Sequence, residues 1–312
     1  MLKTSRKILF FGNERLATGT TTDLPVLKTL LSMNYEIRAI VIPSIKKKPY
    51  GTNHNLEIID FSIKNNIPII GFEDQQKIIS MVKQENIKTA ILIAFGKIIP
   101  LEVLNSFENG IINIHPSLLP KHRGPTPIES SILNGEKRTG LSIIKLIPKM
   151  DAGPIFIQKE LDKNIDSLSK QEIATYLSLL AAELIRDKLD YIVANKVIPS
   201  PQNHQLSTYD KMISKSDAIL DPISKTAIQL LNEIRAYYGW PRSKIIINKN
   251  EYIITSATIA KGVDTPGKLF FTKNDVGVYT KKDILVFKSI LPTAKKEMNS
   301  KSFLAGYRSK LL

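Results

Sequence analysis

The sequence predicts an α/β protein in which a doubly wound, mostly parallel sheet is followed by a small OB-like β-barrel domain. Three observations lead there. Over the first two thirds of the chain, short β-branched runs alternate with amphipathic stretches, the pattern of repeated βαβ units. In the last third, five short β-runs crowd together, as in a compact barrel. Between them, NKVIPSPQNHQLSTYDKMISKSD carries Ser and Pro clusters and little periodicity, which reads as a connection. A length of 312 residues also exceeds what one core ordinarily accommodates. The expected division is 1–196 as a first domain, 197–210 as a linker and 211–312 as a basic OB-like domain.

Strands are expected at KILFFG (7–12), EIRAIVIP (36–43), IPIIGF (67–72), TAILIAFG (89–96) and GIINIHP (110–116), all rich in Ile, Val and Phe. Helices are expected near 23–33, 54–65, 73–86 and 99–107, the first with Pro25 in its opening turn, where a missing N–H costs nothing. Two more strands follow at 139–148 and 154–160, then a long helix from about Ser169 to Asn195 with apolar residues at helical spacing. After the connection, SKTAIQLLNEIRAYYG (224–239) is a helix that Gly239 and Pro241 stop. The remaining β-runs are KIIINKN, EYIITSATIA, GKLFFT, VGVYT and DILVFKSI.

Composition narrows the chemistry. The absence of cysteine excludes disulfides, thiolate zinc sites, thiol nucleophiles and iron–sulfur clusters. No apolar run reaches the roughly 18 residues of a membrane span, and MLKTSRKILFFG enters a strand without a signal-peptide pattern, so a cytoplasmic protein with no membrane partner is expected. The net charge of +15 favours a polyanionic partner. Residues 207–312 carry +9 of it and residues 1–206 only +6, which places the attraction mainly in the smaller, C-terminal part. FFGNERLATGT stands where a dinucleotide-binding fold carries G-x-G-x-x-G but lacks that spacing, and no G-K-[ST] occurs, so a nucleotide cofactor is not expected.

One stretch concentrates the polar chemistry. In GIINIHP, Asn113 and His115 are two apart and so share a face of the strand. Pro116 cannot donate to a ladder and should end it there, at the carboxyl edge where open α/β sheets hold their ligands. Asp151, in LIPKMDAGP, lies in a turn after another strand. Taken singly, His115 also fits a structural histidine and Asp151 a turn-capping carboxylate. Together, an Asn amide can donate to a developing oxyanion, an imidazole can donate a proton, and a carboxylate can fix the ring or take a proton through water. That set suits acyl transfer to an external nucleophile. One His and one Asp are too few ligands for zinc, and no H-E-x-x-H occurs, so no metal is expected.

NIHPSLLPKHRGPTPI (113–128), followed by MDAGP, resembles the folate-dependent formyltransferases, which carry Asn-x-His-x-Ser-Leu-Leu-Pro and a later Asp. KMISKSDAILD (211–221), IRAYYGWP (234–241) and PGKLF…GVYTKKDILVFKSILPTAKKEMNSKSFLAGYR resemble the C-terminal domain of the methionyl-tRNA formyltransferase family, so the resemblance covers essentially the whole chain. It implies that Asn113, His115 and Asp151 are the catalytic trio. It implies 10-formyltetrahydrofolate as donor co-substrate, lying against AFGKIIP (94–100) through Phe95, Gly96 and Ile98, with Ser117, Leu118, Leu119 and Pro120 shaping the loop and contacting folate. The acceptor it implies is the α-amino group of initiator methionyl-tRNA, and the oligomeric state a monomer.

The resemblance also places a basic loop, SIKKKPYG (44–51) with Lys46, Lys47 and Lys48, near the acceptor stem; Lys211, Lys215, Arg242 and Lys244 are further candidates for phosphate contacts. Trp240 reads as a packing anchor. Two segments depart from the family pattern: GNERLATGTTTD replaces a shorter Gly-Thr-Pro loop, and AGPIFI follows Asp151 where x-Gly-x-Asp-Thr-Gly is common. Other readings of the same core are a sugar N-formyltransferase, the formyltransferase of nucleotide synthesis, a hydrolase releasing formate from the donor, and a non-catalytic RNA-binding module.

Overall fold

The computed structural model describes residues 6–44 and 56–311. Its chain clusters into two units, 1–128 with 138–164 and 171–211, and 129–137 with 165–170 and 212–312. The expected linker, 197–210, thus falls inside the first unit.

In the first unit, β1 (Lys7–Gly12), β2 (Glu36–Ile42), β3 (Ile69–Gly71), β4 (Thr89–Ile93), β5 (Gly110–His115), β6 (Gly140–Lys145) and β7 (Ile155–Glu160) form a seven-stranded sheet in the order β3-β2-β1-β4-β5-β6-β7. The pairings from β3 across to β5 are parallel, and β5–β6 and β6–β7 are antiparallel. The winding reverses between β1 and β4, and such a switch point opens a crevice at the carboxyl ends of the strands. Gly12 ends β1 there at φ +114°, and a Cβ on it would lie 1.7 Å from the Ile93 carbonyl oxygen. Only glycine lets the two strand ends approach this closely.

The intervening helices are α1 (Pro25–Ser32), α2 (Glu57–Lys64), α3 (Gln75–Glu85) and α4 (Leu101–Asn105). The Asp74 side chain caps α3 by accepting from the Lys77 N–H. Each helix turns an apolar stripe to the sheet. On one sheet face Leu9, Phe11, Val41, Ile70 and Leu92 pack with Ile78, Val82 and Val103 of α3 and α4. The Phe11 ring meets Phe72, Phe95 and Phe107 edge-on at 5.4–6.4 Å between centroids, which locks the core behind the crevice. Of two later helices, α6 (Lys170–Val193) lies almost wholly in the first unit and α5 (Pro127–Leu133) largely in the second.

The segment between β1 and α1 has its own logic. Glu14 is buried, and its carboxylate accepts from the N–H groups of Val26 and Leu27 at 3.0 and 2.7 Å, satisfying two orphan donors in the first turn of α1. Burial pushes its pKa up from 4.5 to about 7, against the pull of those two hydrogen bonds and of Lys28. The folded state therefore binds a proton here that the unfolded chain has already lost. The stabilisation this gives is complete below the unfolded value and disappears as pH rises through about 7. Glu14→Gln should gain stability relative to the unsubstituted chain between pH 5 and 7.5, by on the order of 2–3 kcal/mol. Parallel urea-unfolding curves at the two pH values would refute the assignment.

In the second unit α7 (Ala227–Ala236) opens on a Thr226–Gln229 capping box, as its sequence requires. An antiparallel sheet follows: β8 (Lys244–Ile247), β9 (Asn250–Ala260), β10 (Leu269–Phe271), β11 (Val276–Tyr279) and β12 (Ile284–Pro292), in the order β10-β11-β12-β9-β8, with β13 (Met298–Asn299) paired to β12. Register breaks around Ser289 bend β12, and the sheet curls into a half-barrel of the OB-like kind expected. Leu230 and Ile234 of α7 fill its concave side together with Phe303 and Leu304 of a final helix, α8 (Ser300–Leu311). Trp240 is half-buried, and its carbonyl accepts from the Lys170 ammonium at 3.2 Å. Among the described residues no helix is long and apolar enough to cross a membrane.

Candidate active site

β5 stops at His115, one residue before Pro116, and Asn113 and His115 are 5% exposed. The Asn113 amide Nδ2 donates to Asp151 Oδ1 at 3.3 Å, and His115 Nδ1 faces the same oxygen at 3.6 Å. The three side chains singled out by sequence thus meet at one point.

Asp151 reaches that point by a less direct route than its position after a strand suggests. β6 runs antiparallel to β5, with Lys145 opposite Ile112, so its carboxyl end points away from the carboxyl end of β5. The β6–β7 connection turns back to carry Asp151 up to Asn113 and His115. Two features permit the turn. Asp151 adopts φ +46°, a left-handed conformation that Asp tolerates better than most residues. Gly153 lies so near the Lys145 carbonyl oxygen that a Cβ would stand 1.7 Å from it.

The second carboxylate oxygen, Oδ2, accepts from the Gly124 N–H at 2.8 Å. Gly124 belongs to the loop after β5, and the same loop holds the imidazole: His115 Nε2 donates to the His122 carbonyl at 2.8 Å. A carbonyl only accepts, so Nε2 carries a proton in either charge state of the ring. Nδ1 is then the position where a proton comes and goes, and it faces the carboxylate. The Asn113 amide has two N–H groups, one of them turned to Asp151.

The loop itself is rigidly built. Ser117 is fully buried; its hydroxyl donates to the Lys121 carbonyl and its own carbonyl accepts from Ser142 Oγ. Leu119 is buried too, its N–H donating to Ser142 Oγ and its carbonyl accepting from Gln158. Leu118 and Pro120 are half-buried, and the Leu119–Pro120 bond is cis. The side chains of Ser117 and Leu119 therefore shape the loop from inside. Phe95 offers its main chain, as expected of a segment that meets the pterin through backbone groups: its ring is core, 4.9 Å from Phe72 edge-on. Gly96 and Ile98 are different. Gly96 is exposed at φ +67° with open space where a Cβ would stand, and Ile98 is 75% exposed. Main-chain groups and an apolar side chain at the carboxyl end of β4 suit a flat heteroaromatic ring carrying amide-like edges, so the residues present fit a pterin.

Of the basic residues expected to meet RNA, Lys46, Lys47 and Lys48 lie outside the described residues. Lys211, in the first unit, and Lys215 and Arg242, in the second, are exposed. Lys244 is half-buried and paired with Glu251 at 2.7 Å, so a phosphate would have to compete for it. Among the described residues no three His, Asp or Glu side chains gather as a metal site would require. A cavity of about 200 Å³ lies at the opposite end of the strands, lined by Thr89, Asn109, Lys145 and Phe156 among others, and takes no part in the site.

Sequence reasoning missed Gln202, Tyr209 and Asp210, which fasten the loop after β5. They lie in the polar run read as a linker, and only the folded geometry reveals what they grip.

Comparison with known proteins identifies the family. The formyl transferase family model matches residues 16–186, and the model of the formyl transferase C-terminal domain matches residues 212–308. The methionyl-tRNA formyltransferase of Thermodesulfovibrio yellowstonii is 32% identical over 97% of this chain and 96% of its own. That of Buchnera aphidicola subsp. Schizaphis graminum is 36% identical over 87% and 88%. Among solved structures, HypX from Aquifex aeolicus superimposes with a TM-score of 0.66 at 15% identity over 98% of this chain, which spans about half the length of that protein (48%). The sugar 3N-formyl transferase WlaRD gives 0.66 at 19% identity, over 93% of this chain and 98% of its own. At those identities the two structures speak for the fold alone.

Proposed function

This chain belongs to the methionyl-tRNA formyltransferase family, and on that premise we propose how its residues perform the reaction. It is a one-carbon transferase: 10-formyltetrahydrofolate supplies an activated formyl group, and methionyl-tRNA accepts it on the methionine α-amino group. The observation that carries the residue-level reading is the meeting of Asn113, His115 and Asp151 at the end of β5. Main-chain groups at 94–98 and the exposed Ile98 would hold the pterin. The second Asn113 N–H donates to the negative charge that develops on the formyl oxygen. His115 Nδ1 and Asp151 form the proton-accepting pair for the attacking amine, with the 3.6 Å gap between them tightening in the complex, and the proton passes on to the folate nitrogen as its bond to the formyl carbon breaks. The proposed acceptor is specifically the initiator tRNA, and the enzyme is proposed to work as a cytoplasmic monomer. Its functional division is proposed as catalytic domain 1–196, linker 197–210 and tRNA-binding domain 211–312.

The deciding assay is transfer of labelled formyl from 10-formyltetrahydrofolate to charged initiator tRNA, with charged elongator tRNA and a free amino sugar as parallel acceptors. Strong preference for initiator methionyl-tRNA is expected. Transfer to the sugar alone, or release of formate with no acceptor, would leave the trio in place and overturn the RNA reading.

Tests of the phosphate contacts follow from charge. Replacing Lys211, Lys215 and Arg242 by Ala should raise the KM for tRNA and flatten its salt dependence by roughly 2 units in the log–log slope, leaving the KM for the folate unchanged. An unchanged slope would remove these residues from the interface.

A further inference from the structure

The site has a support that the reaction itself does not name. Asp151 leaves β6 in the wrong direction and is brought back by a turn, so something must hold that turn. The Gln202 carboxamide does: its Nε2 donates to the carbonyls of Asp151 and Gly153 at 2.8 and 2.7 Å. Its Oε1 accepts from Nε and Nη2 of Arg123 at 3.1 and 2.6 Å. Arg123 is fully buried, and among the described residues its guanidinium meets no carboxylate at ion-pair distance. Its other acceptors are the Tyr209 hydroxyl and His204 Nδ1, both at 2.9 Å. A buried charge with neutral acceptors keeps its place only if those acceptors are fixed.

The fixing is mutual. Arg123 lies between His122, whose carbonyl holds His115, and Gly124, whose N–H holds the Asp151 carboxylate. Its own main chain pairs with Thr208 and Asp210, and the His122 ring meets the Asp210 carboxylate at 3.1 Å. The segment around Gln202 therefore ties the turn that carries Asp151 to the loop that orients His115.

We propose that Gln202 is a positioning residue for formyl transfer, holding Asp151 in register with His115 and Asn113 by bridging the Asp151 turn to the buried guanidinium of Arg123. The proposal rests on the function given above. Gln202→Met keeps the volume and removes all four hydrogen bonds. Misplacing a reacting group by a fraction of an ångström to an ångström is expected to lower kcat by about 10- to 100-fold, with KM for both substrates within about 3-fold.

A structural role alone would lower thermal stability without that selective loss of kcat, so the decisive experiment is a double-mutant cycle with Asp151→Asn, followed in single-turnover transfer by the full-length enzyme. If Gln202 acts through Asp151, Gln202→Met should cost less than about 3-fold in the Asp151→Asn background. Losses that multiply would overturn the proposal. Gln202→Glu keeps an acceptor for Arg123 but no donor for the turn, and serves in the cycle should Gln202→Met not fold. It should lose kcat in the same way, and full activity would equally refute the role. The cycle is read on whichever acceptor the unsubstituted enzyme formylates, so a wrong acceptor assignment shows in the control and not in the coupling.

Discussion

Asn113→Ala is expected to lower kcat by about 100- to 1000-fold, roughly 3–4 kcal/mol of transition-state stabilisation, with KM for both substrates little changed. The size follows from what the other donors are already doing. His115 Nε2 is committed to the His122 carbonyl and Nδ1 faces Asp151, so the imidazole has no uncommitted N–H to aim at the formyl oxygen. The Gly124 N–H is spent on Asp151 Oδ2. Of these three groups, the Asn113 amide is the one with a second N–H to offer. Because the charge on the oxygen grows only as the amine attacks, losing that donor falls on the transition state and not on substrate binding. Folding should survive, since the substitution removes a 3.3 Å side-chain contact and no ladder hydrogen bond of β5. A kcat within a few-fold of the unsubstituted enzyme would take Asn113 out of this role and hand it to a main-chain donor.

Much of this arrangement is legible in the sequence because it depends on local rules. Runs rich in Ile, Val and Phe fix β1, β2 and β5 to within a residue, whereas β4 stops at Ile93, three residues short of its expected end, and Pro116 ends β5 by the absence of an N–H, which is why Asn113 and His115 can be placed on one face in advance. What escapes is set by long-range packing. SKSFLAGYRSKL contains Gly306 and three serines and has little intrinsic helix preference, yet α8 forms because Phe303, Leu304 and Leu311 are buried in the core of the curled sheet. Only β pattern is visible in that tail. QNHQLSTYD looks like solvated linker for the opposite reason: its polar side chains are satisfied by partners some 80 positions earlier in the chain, and no local periodicity announces them. The reversal of direction at β6 is likewise invisible until strand pairing is known, and it decides how Asp151 arrives.

Asp151→Asn should cost more than Asn113→Ala, about 1000- to 10,000-fold in kcat, by the reasoning that applies when a carboxylate fixing a catalytic histidine becomes an amide. The Gly124 N–H demands an acceptor, so the new side chain would turn its oxygen to Gly124 and its NH₂ toward Asn113 and His115. Two consequences follow. The NH₂ group opposes the Asn113 Nδ2, donor against donor, and pushes away the amide meant for the formyl oxygen. It also donates to the Nδ1 lone pair and locks the imidazole neutral with its proton on Nε2, where the His122 carbonyl already holds it. The ring can then neither accept the proton of the attacking amine nor share it with a carboxylate. Single-turnover transfer at saturating donor and tRNA isolates this step from binding. A loss below about 10-fold would mean that Asp151 caps its turn and no more, with the amine proton leaving by another route.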